Sequence, residues 1–138
     1  MTLYHLTVTH LEPTCTGFYE RFHIGVFSSA EEAEETAKSY LSTVPGFKDF
    51  PCAYSIENKE VRGGPVLDQT VYWTQGWNWN ENMDEADIVE SDDDYTCEAD
   101  AEAALGEMKT RFTRSEWVIH RSVIGLCDWQ EGFERVDG

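Results

Sequence analysis

The chain has 138 residues and a mass of 15.8 kDa, the size of one ordinary domain. With 41% hydrophobic and 13% aromatic residues it is too apolar to be disordered, and a core is expected without help from metal or disulfides. Ten Lys and Arg against 27 Asp and Glu give a formal charge of −17 and a pI near 4.3, which argues against direct binding to nucleic acid or anionic membranes, because those partners need basic clusters.

The start, Met1-Thr2-Leu3-Tyr4-His5, has no early Lys or Arg and no apolar stretch of signal-peptide length, and no run approaches the ~18 apolar residues that span a bilayer. A cytoplasmic location is expected. Residues 3 to 10 alternate, with Tyr4, Leu6 and Val8 on one side and Thr7 and Thr9 on the other, the period of a half-buried strand. After the turn-prone Glu12-Pro13-Thr14-Cys15-Thr16-Gly17, residues 18 to 27 are rich in aromatic and β-branched types and complete a hairpin. Ser28-Ser29-Ala30-Glu31-Glu32 then offers a hydroxyl cap, and Ala30, Ala33, Ala37, Tyr40, Leu41 and Val44 share one helical stripe. That helix must stop before Pro45-Gly46, and Ala53 to Val61 reads as a third strand.

Arg62-Gly63-Gly64-Pro65 punctuates the chain, and the order of elements recurs after it. Val71 to Trp79 and Ala86 to Glu90 read as strands, Glu98 to Phe112 as a helix with Ala101, Ala104, Leu105, Met108 and Phe112 on one face, and Glu116 to Ile124 as a last strand. The expectation is one α+β domain of two β-β-α-β halves, 1–62 and 68–138 joined by 63–67, forming a mostly antiparallel sheet with two helices on one face. Ile24-Gly25-Val26-Phe27-Ser28-Ser29, Pro45-Gly46-Phe47 and the closing Trp129-Gln130-Glu131-Gly132-Phe133 resemble a group of small uncharacterised bacterial β-β-α-β domains. The resemblance implies a fold and no transferable activity. Trp129 and Phe133 read as cover for the core or a sheet edge.

Chemistry is sparsely signalled. Cys15, Cys52, Cys97 and Cys127 never form a Cys-x-x-Cys pair, so small buried thiols are expected rather than zinc ligands, and a disulfide only in an oxidising compartment. His5 and His10 fall on opposite faces of their strand, while His23 and His120 read as ordinary half-buried strand residues. No nucleophile elbow, phosphate-binding glycine loop or metal motif is present, and no catalytic residue, metal or cofactor is expected.

Two features stand out. Between Glu81 and Glu107 lie twelve acids and no Lys or Arg. Read functionally, this tract is an electronegative surface that occludes a basic, nucleic-acid-binding face of another protein, as an immunity protein or nucleic-acid mimic would. Its contact residues would be Asp84, Glu85, Asp87, Glu90, Asp92, Asp93 and Asp94, with Trp77 and Trp79 as apolar anchors. Read structurally, the same acids are solvated charge, and Asp92-Asp93-Asp94 is a loop leading into the second helix, whose first turn welcomes carboxylates. The other feature is Val71-Tyr72-Trp73-Thr74-Gln75-Gly76-Trp77-Asn78-Trp79, whose period of two puts three indoles on one face. Packed inward, they would meet Tyr40, Leu41, Phe112 and Trp117; exposed, they would serve a carbohydrate or other small-ligand module. A self-associating sheet domain with solubilising acidity is the remaining alternative.

Overall fold

The computed structural model describes residues 1–14, 17, 19–79 and 86–133. Seven strands and two helices follow in the order β1 (Thr2–His10), β2 (Arg21–Phe27), α1 (Ala30–Thr43), β3 (Cys52–Arg62), β4 (Thr70–Trp79), β5 (Ala86–Glu90), β6 (Asp93–Tyr95), α2 (Glu98–Arg111) and β7 (Glu116–Val123). The fold is mixed α+β. The second run of elements holds one strand more than expected, because the Asp tract read as a loop forms β6.

Antiparallel pairing places β1 between β2 and β3. In the same way β4 has β7 along one edge, with β5 and β6 sharing the other. The two sets join through the parallel pair β3 and β6, with Glu60 opposite Asp93. The sheet curls back on itself beyond β7, where Gly125 N–H donates to Val26 O at 2.8 Å and Asp128 N–H to Ile24 O at 2.7 Å. Those bonds occupy backbone groups at the outer edge of β2.

Alternation then assigns side chains to the outside or the inside of the curl. Leu6, Val8, Phe22 and Ile24 face outward and are covered by Ala33, Ala37 and Tyr40 of α1. Ser29 caps that helix, its Oγ accepting from Glu32 N–H at 3.1 Å. Outward from β4, Thr74 meets Met108 of α2, while the ring of Trp117 lies over Gly76, where an added Cβ would stand 2.5 Å from it. Both helices therefore sit on the convex side.

Trp129-Gln130-Glu131-Gly132-Phe133 closes the outer core against the turn after α1. Phe133 N–H donates to Pro45 O at 3.1 Å. His10 Nε2 donates to Gly46 O at 2.8 Å, and the Phe133 ring packs on Phe22 and Phe47 with centroids 4.8 and 5.3 Å away. Glycine is required at Gly46 and Gly132, which have φ of +87° and +75° and touch Phe133 and Pro45 respectively. Cys52 and Cys127 are half-buried beside this core, but Cys97 is exposed at the start of α2, against the expectation of buried thiols; Cys15 lies outside the described residues.

Candidate functional site

The inside of the curl has a different character. Leu3, His5, Thr7 and Thr9 of β1 point inward, as do Val71, Trp73, Gln75, Trp77 and Trp79 of β4. Register adds the residues opposite them: Lys59 faces Leu3 and Glu57 faces His5, His120 faces Trp73, and Glu90 and Ile88 face Gln75 and Trp77. A bulge in β2, where the pairing register slips between Leu6 and Thr7, turns His23 inward although it lies an odd number of residues from the inward Val26.

These side chains form layers. Leu3, Val26 and Val71 seal one end, backed by Val61, Val66 and Ile124. Above them lies a polar layer of His5, His23, Lys59, Trp73, Asp94 and His120. The other end opens between Tyr19, Arg21, Trp77, Trp79 and Ile88 into a cavity of about 780 Å³. That volume falls in the range of small-molecule sites.

Two hydrogen-bonded chains run through the polar layer. Asp94 is fully buried and His5 is 2% exposed; His5 Nε2 lies 2.9 Å from both Asp94 oxygens, and its Nδ1 lies 3.0 Å from His23 Nε2. A carboxylate only accepts, so His5 must carry a proton on Nε2. The second chain starts at Glu90, which accepts from Lys59 Nζ and Gln75 Nε2, both at 3.2 Å, and from Arg21 Nη2 at 3.5 Å. Holding the Gln75 amide this way aims its Oε1 at His120 Nε2, 2.9 Å away, so His120 donates from that nitrogen.

Trp73, 1% exposed, is the hub between the chains. His120 stacks on it at 4.2 Å, His23 lies 4.7 Å away, His5 meets it edge-on at 5.1 Å, and the Lys59 ammonium sits 4.9 Å from its centroid. Its Nε1 donates to Ser122 Oγ at 3.0 Å.

The electrostatics follow from this crowding. Burial, reinforced by the neighbouring His5, lowers the His23 pKa to about 3. Burial also lowers that of His120. Burial alone would raise Glu90, but the Lys59 ammonium and the Arg21 guanidinium overcome it and hold its carboxyl below the usual range. Both cavity histidines are thus neutral in ordinary buffers beside a charged Lys–Glu pair.

Against this geometry the acidic tract divides. Asp94 is inside the molecule on His5, and Glu90 is in the cavity wall on Lys59 and Arg21. Asp93 receives a bond from Arg62 Nε at 3.1 Å and Asp87 one from Arg114 Nη2 at 3.3 Å. Asp92 is exposed at the cavity rim. Asp84 and Glu85 lie outside the described residues. Trp77 and Trp79 share a wall with Trp73 as the period of two implies, but on the face opposite the helices, away from Tyr40, Phe112 and Trp117. His5 and His10 lie on opposite faces as expected. His5, His23, Lys59 and His120 carry no local motif, because six different strands bring the polar layer together; only the polar alternation of residues 5 to 9 hinted at a wet inner face.

The chain matches no known family model, no curated protein and no solved structure. No helix among the described residues is long and apolar enough to cross a membrane.

Proposed function

We propose that this protein binds a small hydroxyl-rich ring, such as a saccharide unit, in the cavity of its curled sheet. The observation that carries this reading is the stacking of layers: indoles at the mouth above a floor of oriented polar groups. Trp79 is 40% exposed and Trp77 half-buried, and their shared wall suits the apolar face of a sugar ring. Below them, Glu90, Gln75 and His120 are held by their own partners, so they meet the hydroxyl edge with little ordering cost. Glu57 and Asp92 on the rim favour a neutral or cationic ligand over an anion.

The reading of the acidic tract as a dock for a basic protein has less support. It needs carboxylates facing outward together, whereas Asp94 and Glu90 are engaged inside and Asp87 and Asp93 face the chain's own arginines. What favours it is the net charge alone. Tryptophan fluorescence and calorimetry with neutral mono- and oligosaccharides test the cavity reading. A saturable response is expected, weakened at least tenfold in Trp77→Ala/Trp79→Ala. No saturation with any of these sugars, or equal affinity in the double variant, overturns it.

A further inference from the structure

The chain Asp94, His5, His23 runs from a fully buried carboxylate to a residue lining the cavity, and among the described residues no second carboxylate is hydrogen-bonded to it. A buried Asp–His pair that served packing alone would end at His5, and a binding histidine would need no carboxylate two groups behind it. We propose that Asp94, His5 and His23 form a proton relay that lets the cavity accept a proton from a hydroxyl of its bound ligand, with His23 as the group that touches the ligand and His5 and Asp94 as positioning residues. This rests on the cavity being a ligand site.

The step balances within the chain. The ligand O–H bond breaks and its proton joins His23 Nδ1. His23 Nε2 releases its proton to His5 Nδ1, 3.0 Å away. His5 becomes an imidazolium whose Nε2 proton is already directed at Asp94, at 2.9 Å. The Lys59 ammonium, which is 4% exposed and lines the same cavity, is a cation that can offset the charge left on the ligand oxygen.

Among the described residues no hydrogen bond reaches His23 Nδ1, so that nitrogen is left for a ligand. His23 is not asked to hold the charge itself: burial and the neighbouring His5 disfavour a cation there, and the relay passes the proton on to the ring bonded to Asp94. The charged groups that face His23 fit this division. Arg21 and Lys59 oppose a cation at His23, and Glu90 is committed to both of them. His120 is held by Gln75, and Glu57 lies opposite His5 in the register, toward solvent.

Nitrogen-15 NMR of the histidine rings in the ligand-free, full-length chain, titrated from pH 9 to pH 5, tests the relay without any ligand. The expected result is one coupled transition, in which His5 becomes imidazolium while His23 switches from the Nε2–H to the Nδ1–H tautomer and stays neutral. A His23 that keeps one tautomer throughout, or that becomes imidazolium while His5 stays neutral, overturns the proposal. In Asp94→Asn the midpoint should fall by at least one pH unit, and an unchanged midpoint in the folded variant also overturns it. Should that variant not fold, the wild-type titration decides alone. Loss of sugar binding with an intact coupled transition would sink the ligand reading and spare the relay, and the converse result would do the opposite.

Discussion

The two faces of β1 divide the protein's work. Leu6 and Val8 face outward into a dry cluster of Phe22, Phe47, Tyr40 and Phe133, while His5, Thr7 and Thr9 face inward to charged and hydrogen-bonding groups around open space. In a small closed barrel the inside is ordinarily the core. Here α1, α2 and the closing Trp129–Phe133 segment build the core on the convex side, which leaves the inner face to a short apolar plug at Leu3, Val26 and Val71, the indole wall of Trp73, Trp77 and Trp79, and the polar groups around the cavity. The difference teaches that the apolar core and the polar cavity occupy opposite sides of the same strands, so substitutions on the two sides should separate cleanly.

The largest effects should come from the outer face. Phe47, fully buried among four aromatic partners, should lose about 4 kcal/mol of stability on Phe47→Ala, read from urea denaturation midpoints. Gly132→Ala comes next. Its Cβ would stand 2.2 Å from Pro45 O at a φ of +75°, and about 3 kcal/mol should be lost as the clamp on the post-helix turn is forced apart. If either variant weakens sugar binding in still-folded protein as strongly as the paired Trp77 and Trp79 change, the separation of faces fails.

Legibility follows the same divide. The outer face was largely readable, because its signals are local: the Ser29 cap, the stripe Ala33, Ala37 and Tyr40, and alternation along β1 and β4. The inward grouping of Trp73, Trp77 and Trp79 was readable too. Which side of the sheet they occupied was not, because that depends on where α2 docks. The polar layer was invisible for a related reason. Asp94 and His5 are 89 residues apart, the bulge that turns His23 inward is a property of strand pairing, and β6 is an Asp-Asp-Tyr segment with little strand propensity of its own. Acids that looked like one patch in sequence point different ways once β5 and β6 alternate.

A smaller effect tests the inner face directly. Lys59→Met removes the best-buried cation of the Glu90 network but leaves Arg21 and Gln75 on the carboxylate. A loss of about 2 kcal/mol is expected, less than for a fully buried pair broken to a lone charge. In Lys59→Met/Glu90→Gln much of that loss should return, and the double-mutant cycle gives the coupling. Failure of the second change to restore any stability would mean that Lys59 acts through packing on Trp73 instead of through charge.

Acid should weaken the inner face before the outer. His23 is lowered to about 3 in the folded protein against about 6.5 unfolded, so between those values the unfolded chain binds the extra proton. Its contribution is complete above pH 6.5 and declines as the pH falls toward 3, with a slope no steeper than about 1.4 kcal/mol per pH unit, the limit for one proton. Glu90 acts in the same direction at lower pH, since its carboxylate is favoured in the folded state. In His23→Gln the decline above pH 5 should flatten, and an unchanged pH profile of the denaturation midpoint would place the acid sensitivity elsewhere.

The mildest change should come from salt, and it separates exposed from enclosed charge. With a formal charge of −17, and with Glu31, Glu34, Glu35, Glu98, Asp100, Glu102 and Glu107 exposed on the two helices, self-repulsion acts mainly through water. Raising NaCl from 0.1 to 1 M shortens the Debye length from about 10 to about 3 Å. That should raise the melting temperature by a few degrees, as relief of the exposed acids outweighs weakening of the surface pairs Asp93–Arg62 and Asp87–Arg114. The Lys59–Glu90 pair, mostly buried in the cavity wall, should feel little of this, so its double-mutant coupling should be nearly the same at both salt concentrations. A coupling that collapses in 1 M NaCl would show that the cavity wall is as wet as the helix surfaces, and the contrast between the two faces would then be one of packing alone.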